Sequence, residues 1–404
     1  MNIRQRMLTA RNSRRQIHLG GRAHVVDNVR VKPDPIELLA SLVRIPSVNP
    51  SLAPEEATGE AAIASFIRDW LEQRGVPAKL EEAAPGRPNV VGTVGGSPGP
   101  TLAFCAHIDV VGTAGMTIPP FEPTQRDGKL YGRGSFDMKG GVAAVMAAGV
   151  RLQQAGIPGT VLLALVADEE YTSLGADHFV ANHRADACVL TESSEGDLIV
   201  AHKGFVWLKL RTEGRAAHGS RWDLGRSAIG SMARIVDAME RFDRETLRGR
   251  THELVGPASM HCAQIHGGVG ISTYAPECTL RVERRTLPGE SPEQVAAEIR
   301  ALVADIGEAA EVTIEFSRPP LLCDPSAPIV GAMRDAVQDV TGVAPRNKGV
   351  AYWMDAAVFA AAGIPTVDYG PTGFGAHEAV EWVEIDSVRR CADVLVRGAE
   401  RFLS

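Results

Sequence analysis

The chain of 404 residues has no CxxC pair, and its six cysteines (Cys105, Cys188, Cys262, Cys278, Cys323 and Cys391) are scattered. Such spacing excludes both a cysteine-based zinc module and the disulfide framework of a small secreted domain, and it reads as small hydrophobes in a reducing cytoplasm. No apolar run approaches the ~20 residues that span a bilayer, so a membrane role is not expected. A basic stripe is also missing from the globular part, and the formal charge of -7 argues against a nucleic-acid partner and for a small molecule. Acidic residues are absent before Asp27, in a stretch carrying Arg4, Arg6, Arg11, Arg14, Arg15 and Arg22. With no secretory apolar stretch there, residues 1–33 read as a disordered or extended arm outside the fold.

What remains is a soluble-type composition, 45% hydrophobic and 23% charged, on a chain long enough for two cores. Hydrophobic periodicity predicts a short helix from Asp34 through Leu42, then an amphipathic helix over 55–74 that Gly75 ends. Strands over 89–94 and 101–106, a helix over 139–154, and strands over 161–167 and 187–191 follow. Continuous apolar strands alternating with helices imply an α/β domain with a mostly parallel sheet covered on both faces. Between about 201 and 317 the order becomes β-α-β-β-α-β, that of a ferredoxin-like sandwich able to fold alone. Its second helix carries a start signal, with Ser291 placed to cap, Pro292 at the first helical position and Gln294 completing a capping box. The α/β rhythm then returns, with helices over 328–341, 356–362 and 385–402. The expectation is a discontinuous catalytic domain, 34–200 plus 318–404, with an inserted domain at 201–317.

Five residues close apolar segments or sit in glycine-rich turns: His107, Asp137, Glu170, Glu192 and His377. The run Phe104-Cys105-Ala106-His107-Ile108-Asp109 ends a strand on His-x-Asp, which puts both side chains on one face. A ligating imidazole gives its second N–H to an acceptor, so Asp109 is placed to orient His107. Asp137 stands where the loop from Gly132 to Gly141 meets a helix; that loop has neither P-loop nor GxGxxG spacing, and a carboxylate there suits a bridge between cations. Asp168-Glu169-Glu170 follows a strand, where adjacent carboxylates are costly without a cation; one can bind metal while its neighbour serves as general base. Glu192 ends the next strand, with Glu195 as a decoy, and His377 follows a flexible turn. Jointly these candidates lie at the carboxyl ends of strands in one sheet, where open α/β proteins build their sites. Two imidazoles and three carboxylates suit two divalent ions, with zinc favoured and cobalt or manganese as alternatives.

These motifs, in order, resemble the acetylornithine deacetylase and succinyl-diaminopimelate desuccinylase family of dinuclear zinc amidohydrolases, which also has carboxypeptidase and dipeptidase members. The resemblance runs from about Pro35 to the C-terminus. It rests on Ala106 to Val111, on Gly132-Arg133-Gly134 with Asp137 to Gly141, and on Asp168-Glu169-Glu170 with Gly175-Ala176. It implies that His107, Asp137, Glu170, Glu192 and His377 are ligands, with Asp137 bridging, and that Glu169 is the base. It also implies that the inserted domain is a lid and dimerisation surface. There, His218 in Gly214 to Ser220 would reach a second subunit's site and steady the oxyanion, and Arg285 would hold a substrate carboxylate. Thr273 stands where relatives often carry an asparagine that bonds substrate. Tyr352-Trp353-Met354 is bulkier than usual before Asp355, and Thr191-Glu192-Ser193-Ser194 lacks a proline often found after the ligand.

The expected function is hydrolysis of an amide bond in a small N-acylated amino acid, by attack of a metal-bridging water whose proton Glu169 takes. A dipeptidase or carboxypeptidase, or a hydrolytic deaminase of an unusual, aromatic substrate, would use the same site. A binding module that lost the chemistry is disfavoured because ligands and base are all present. Gly267-Gly268-Val269-Gly270 lacks the strand-turn-helix setting of a dinucleotide site.

Overall fold

The computed structural model describes residues 33–404; the arginine-rich arm lies outside the described residues. A nine-stranded sheet forms the centre. Its four middle strands, Thr160–Val166, Thr101–His107, Ala187–Leu190 and Thr366–Asp368, run parallel to one another. Arg87–Gly95 on one side and Leu198–His202 on the other pair antiparallel with them, and each is flanked in turn by an antiparallel neighbour, Ala78–Ala84 and Leu321–Leu322. Asn347–Val350 adds a parallel strand to Leu198–His202.

Alternation along each middle strand feeds two cores. Leu102, Phe104 and Ala106 join a large cluster with Val142, Met146, Met333, Val388 and Leu395. Ala103 and Cys105 point the other way, onto Phe179 and Phe359. Helices Lys139–Ala155, Pro328–Thr341 and Ile385–Phe402 therefore cover one face, and the short helices Leu174–Asn182 and Ala356–Ala361 the other. Burial on both faces is why these strands read as unbroken apolar runs. All six cysteines are free thiols, and five are buried.

The segment after His202 builds its own four-stranded sheet in the order Ser259–Gly267, Glu277–Thr286, Gly204–Glu213, Glu311–Arg318, antiparallel throughout. In chain order that is 2-3-1-4, the ferredoxin-like arrangement. Helices Ala228–Glu245 and Pro292–Asp305 pack Met232, Ile235, Val295 and Ile299 onto it as a separate core. Ser291 and Gln294 do form the reciprocal capping box.

The helix expected over 55–74 starts later, at Ala61. Gly59 takes a left-handed φ of 64°, and Glu56 is drawn away to accept the N–H and hydroxyl of Thr113 at 2.6 and 2.7 Å. The strand Ala78–Ala84 and the helix Leu174–Asn182 were not expected: the first, AKLEEAA, lacks β-branched residues, and the second is too short for its periodicity to stand out.

Candidate metal centre

The middle strands end at one place. His107 is the last residue of its strand; Asp168, Glu169 and Glu170 follow Thr160–Val166, and Glu192 follows Ala187–Leu190. Two close approaches of backbone bring the rest in. Gly141, in the first turn of the long helix, lies against the Thr191 carbonyl, and Gly370 lies against that of Glu192; a Cβ at either would overlap them.

The result is two clusters joined by one carboxylate. His107 Nε2 is 3.1 Å from Asp137 Oδ1 and 3.2 Å from Glu192 Oε1. His377 Nε2 is 3.2 Å from the other oxygen, Asp137 Oδ2, and 2.9 Å from Glu170 Oε2. Each cluster thus offers one imidazole and two carboxylates, with candidate ligand atoms within 4.8 Å of one another. Glu170 Oε1 is buried without a hydrogen-bond partner, as suits an oxygen meant for a cation. This donor set of nitrogen and carboxylate oxygen fits two divalent ions. Glu169 belongs to neither cluster but stands beside them, its Oε2 3.9 Å from His107 Nε2. Its side chain faces a cleft of about 550 Å³ lined also by Phe136, Tyr352, Trp353 and Phe374.

His107 Nδ1 lies 3.0 Å from the backbone carbonyl of Asp109 and 3.5 Å from its carboxylate. The ring is oriented mainly by the carbonyl, then, and the Asp109 carboxylate is turned toward Asn49 and the N–H groups of Glu169 and Glu170.

So many carboxylates in one buried place distort their proton affinities. Burial first, then the charge of Asp137, pushes Glu170 up to about 7. Hydrogen bonds to Asp137 and Glu170 raise His377 to about 10. Burial opposes the charged form of His107, yet Glu192, Asp109 and Asp137 outweigh it and raise the imidazole well above its usual value. A metal must displace these protons. Below its raised pKa His377 stays protonated, so the affinity of the His377 cluster for its ion is expected to rise about tenfold per pH unit between about 7 and about 10, and more steeply below 7, where Glu170 also holds a proton; the His107 cluster must likewise give up the imidazole proton of His107. Competition titrations against a chromophoric chelator at several pH values measure that slope; a pH-independent affinity would contradict it.

Glu381 was not singled out by sequence reasoning. Its carboxylate accepts the N–H groups of Gly134, Phe136 and Asp137 at 2.9, 2.9 and 3.1 Å and pairs with Arg133 at 2.7 Å. The loop that carries Asp137 is thus wrapped around one buried anion. The only local signal was an acidic residue four positions after His377, beside an apolar strand; its partner Arg133 is 248 residues away. Glu381→Gln leaves Arg133 buried without its counter-charge, and about 3–5 kcal/mol of stability should be lost in urea unfolding. A change below about 1 kcal/mol would mean that the pair is dispensable.

His218, Thr273 and Arg285 lie elsewhere. His218 pairs with Thr273 in an isolated bridge, its Nδ1 2.8 Å from Ser220 Oγ. Arg285 is ion-paired to Glu283 at 2.7 Å and stacks over Phe205. Glu195 turns out to the surface, 3.0 Å from Lys348. Tyr352 bonds the Ser193 carbonyl at 2.9 Å, and the Trp353 indole bonds that of Pro319 at 3.0 Å.

Residues 103–401 match the protein family described as Peptidase family M20/M25/M40. The chain belongs to that family. It is 31% identical over 393 residues to the succinyl-diaminopimelate desuccinylase of Rhodospirillum centenum, covering 92% of this chain and 98% of the relative. It is 25% identical over 382 residues to the acetylornithine deacetylase of Vibrio campbellii, covering 92% and 99%. Among solved structures, the aminopeptidase PepT of Bacillus cereus shares its fold, with a TM-score of 0.75, 20% identity and coverage of 92% of this chain and 98% of that one. The M20 chain is accordingly a hydrolase, and the two clusters are its candidate site for divalent metal. Among the described residues no helix is long and apolar enough to cross a membrane.

Proposed function

We propose that this M20 protein hydrolyses the amide bond of a small N-acylated amino acid, using two divalent ions, zinc before cobalt or manganese. The observation that carries this reading is the Asp137 carboxylate, with one oxygen in each His-carboxylate cluster and Glu169 alongside. His107, Asp137 and Glu192 would hold one ion, and Asp137, Glu170 and His377 the other. When bound, the ions supply positive charge that polarises the scissile carbonyl and acidifies water.

The protein's own groups do the proton work. Burial, reinforced by Asp355 and Glu192, raises the Glu169 carboxyl well above the usual range despite the opposing charge of His107. Standing beside both clusters without belonging to either, Glu169 is placed to take a proton from the attacking water and release it to the leaving amine nitrogen. His107 keeps its Nε2 on the cluster because its Nδ1 is engaged by Asp109. From the lid, Arg285 suits a substrate carboxylate through its planar fork, Thr273 offers a hydroxyl, and His218 of a second copy would steady the oxyanion.

A homodimer through the lid is part of this proposal. The loops carrying His218 and Thr273 lie side by side, since Gly219 N–H donates to the Ser272 carbonyl, and they leave Trp222 80% and Val269 71% exposed, with Leu224 and Ile271 beside them in sequence and also exposed. Exposed apolar side chains on two hydrogen-bonded loops suit a self-complementary contact. Sedimentation should give a dimer for the unmodified protein and a monomer for Ile271→Glu; a monomer in both would remove His218 from the mechanism.

One feature favours a second reading. Phe136, Tyr352, Trp353 and Phe374 line the cleft, a wall that suits a planar aromatic group and hence hydrolytic loss of an amine from an aromatic substrate. Incubating the zinc-, cobalt- or manganese-restored protein with N-acetyl and N-succinyl amino acids, dipeptides and aromatic amines tests both. Acyl release from the first group supports the proposal; ammonia from aromatic amines without acyl release supports the second.

A further inference from the structure

Beneath the proposed centre, five polar side chains form one buried chain of hydrogen bonds. Asn49, Glu60, Asp109 and Asp168 are closed to solvent, and Arg87 nearly so. The Arg87 guanidinium donates to both oxygens of Glu60, through Nε at 2.6 Å and through Nη2. The same Nη2 reaches Asp168 Oδ1 at 2.7 Å. Asn49 carries the chain onward, its Nδ2 donating to Asp168 Oδ1 at 3.0 Å and to Asp109 Oδ2 at 2.7 Å. Its Oδ1 accepts the Ser51 N–H at 2.9 Å, which fixes the orientation of the amide.

The two ends of this chain sit under different parts of the centre. Asp109 receives the Glu169 and Glu170 N–H groups at 3.2 and 3.3 Å and lies beside the His107 ring. Asp168 immediately precedes Glu169 and takes a left-handed φ of 69°. A non-glycine residue there is strained and persists only where its surroundings hold it. Here the side chain is held from both sides: Oδ1 by Arg87 and Asn49, Oδ2 by the N–H and hydroxyl of Thr172 at 3.2 and 2.6 Å. Arg87 also supplies the positive charge that lets two carboxylates meet in the interior. A lysine would keep that charge but not the fork that grips Glu60 while reaching Asp168.

The geometry points to Arg87 and Asn49 as positioning residues: Arg87 fixes Asp168, and Asn49 ties Asp168 to Asp109, so that one brace sets Glu169, Glu170 and His107 relative to each other. This rests on the proposed reading of those three residues as base and ligands.

The test compares Asn49→Ala, Arg87→Lys and the double variant with the unmodified full-length protein, each loaded with cobalt(II). The readouts are bound ions, the visible absorption bands of the cobalt, and kcat and KM on an N-acyl amino acid. Both single variants should bind two ions, show shifted cobalt bands, and lose about 10–100-fold in kcat with little change in KM. The double variant should lose less than the product of the single losses, because both remove the same support. Unmodified cobalt bands and kcat in either folded variant, or losses that multiply, would overturn the proposal. Should Arg87→Lys fail to fold, Asn49→Ala, which leaves the Arg87–Glu60 pair intact, decides the matter alone by its bands and kcat. An unmodified protein that binds two ions but cleaves no substrate would sink the proposed reaction, while shifted bands in Asn49→Ala would still support the brace; an unmodified protein that binds no ion overturns both.

Discussion

Replacing Glu169 with glutamine is expected to lower kcat about 10²–10⁴-fold, the usual worth of a positioned general base, while two ions stay bound. The amide has the shape of the carboxylate but cannot take a proton from water. Glu169 belongs to neither ligand cluster, so the change should spare metal affinity. It should spare KM too, because the proposed base would act on the proton in transit rather than on bound substrate. Steady-state kinetics beside metal analysis of the same sample checks this. Near-normal turnover in a metal-loaded Glu169→Gln protein would move the base elsewhere, and loss of metal together with activity would make Glu169 a ligand.

The second large effect belongs to Asp137. Because His107 Nε2 stands by Oδ1 and His377 Nε2 by Oδ2, this one carboxylate is common to both clusters. Asp137→Ala should therefore abolish binding of both ions and reduce turnover to that of the metal-stripped protein. Glu192→Ala and Glu170→Ala should each remove only one, since each residue belongs to a single cluster. Isothermal titration with zinc would distinguish the stoichiometries: none for Asp137→Ala, one for each of the others. If Asp137→Ala still bound one ion tightly, the clusters would be separate sites rather than one dinuclear centre.

The placement of the candidate ligands was largely legible in the chain because parallel strands deliver their C-terminal residues to one edge. A histidine or acid that closes an apolar run, such as His107 or Glu192, is thus placed by topology before any contact is known. The final helix and the helix over 328–341 were readable for a related reason: a long amphipathic period and clear boundaries leave little to tertiary context. The supports were not readable. Glu381 meets Arg133 across 248 residues, and Asn49 meets Asp168 across 119; nothing local marks an asparagine after Ile45-Pro46-Ser47-Val48 as the link between two buried acids. The early helix start failed likewise, because Glu56, a good helix former, is claimed by Thr113 from a distant loop. Left-handed backbone at Asp168 and His377 had no signature either, since neither is glycine.

The most direct test of the account is a zinc titration of chelator-stripped protein, following hydrolysis of an N-acyl amino acid against equivalents bound. The stripped protein should show no turnover, and activity should reach its plateau at two ions per chain. Turnover that survives chelation, or two bound ions with no hydrolysis of any amide, would contradict it.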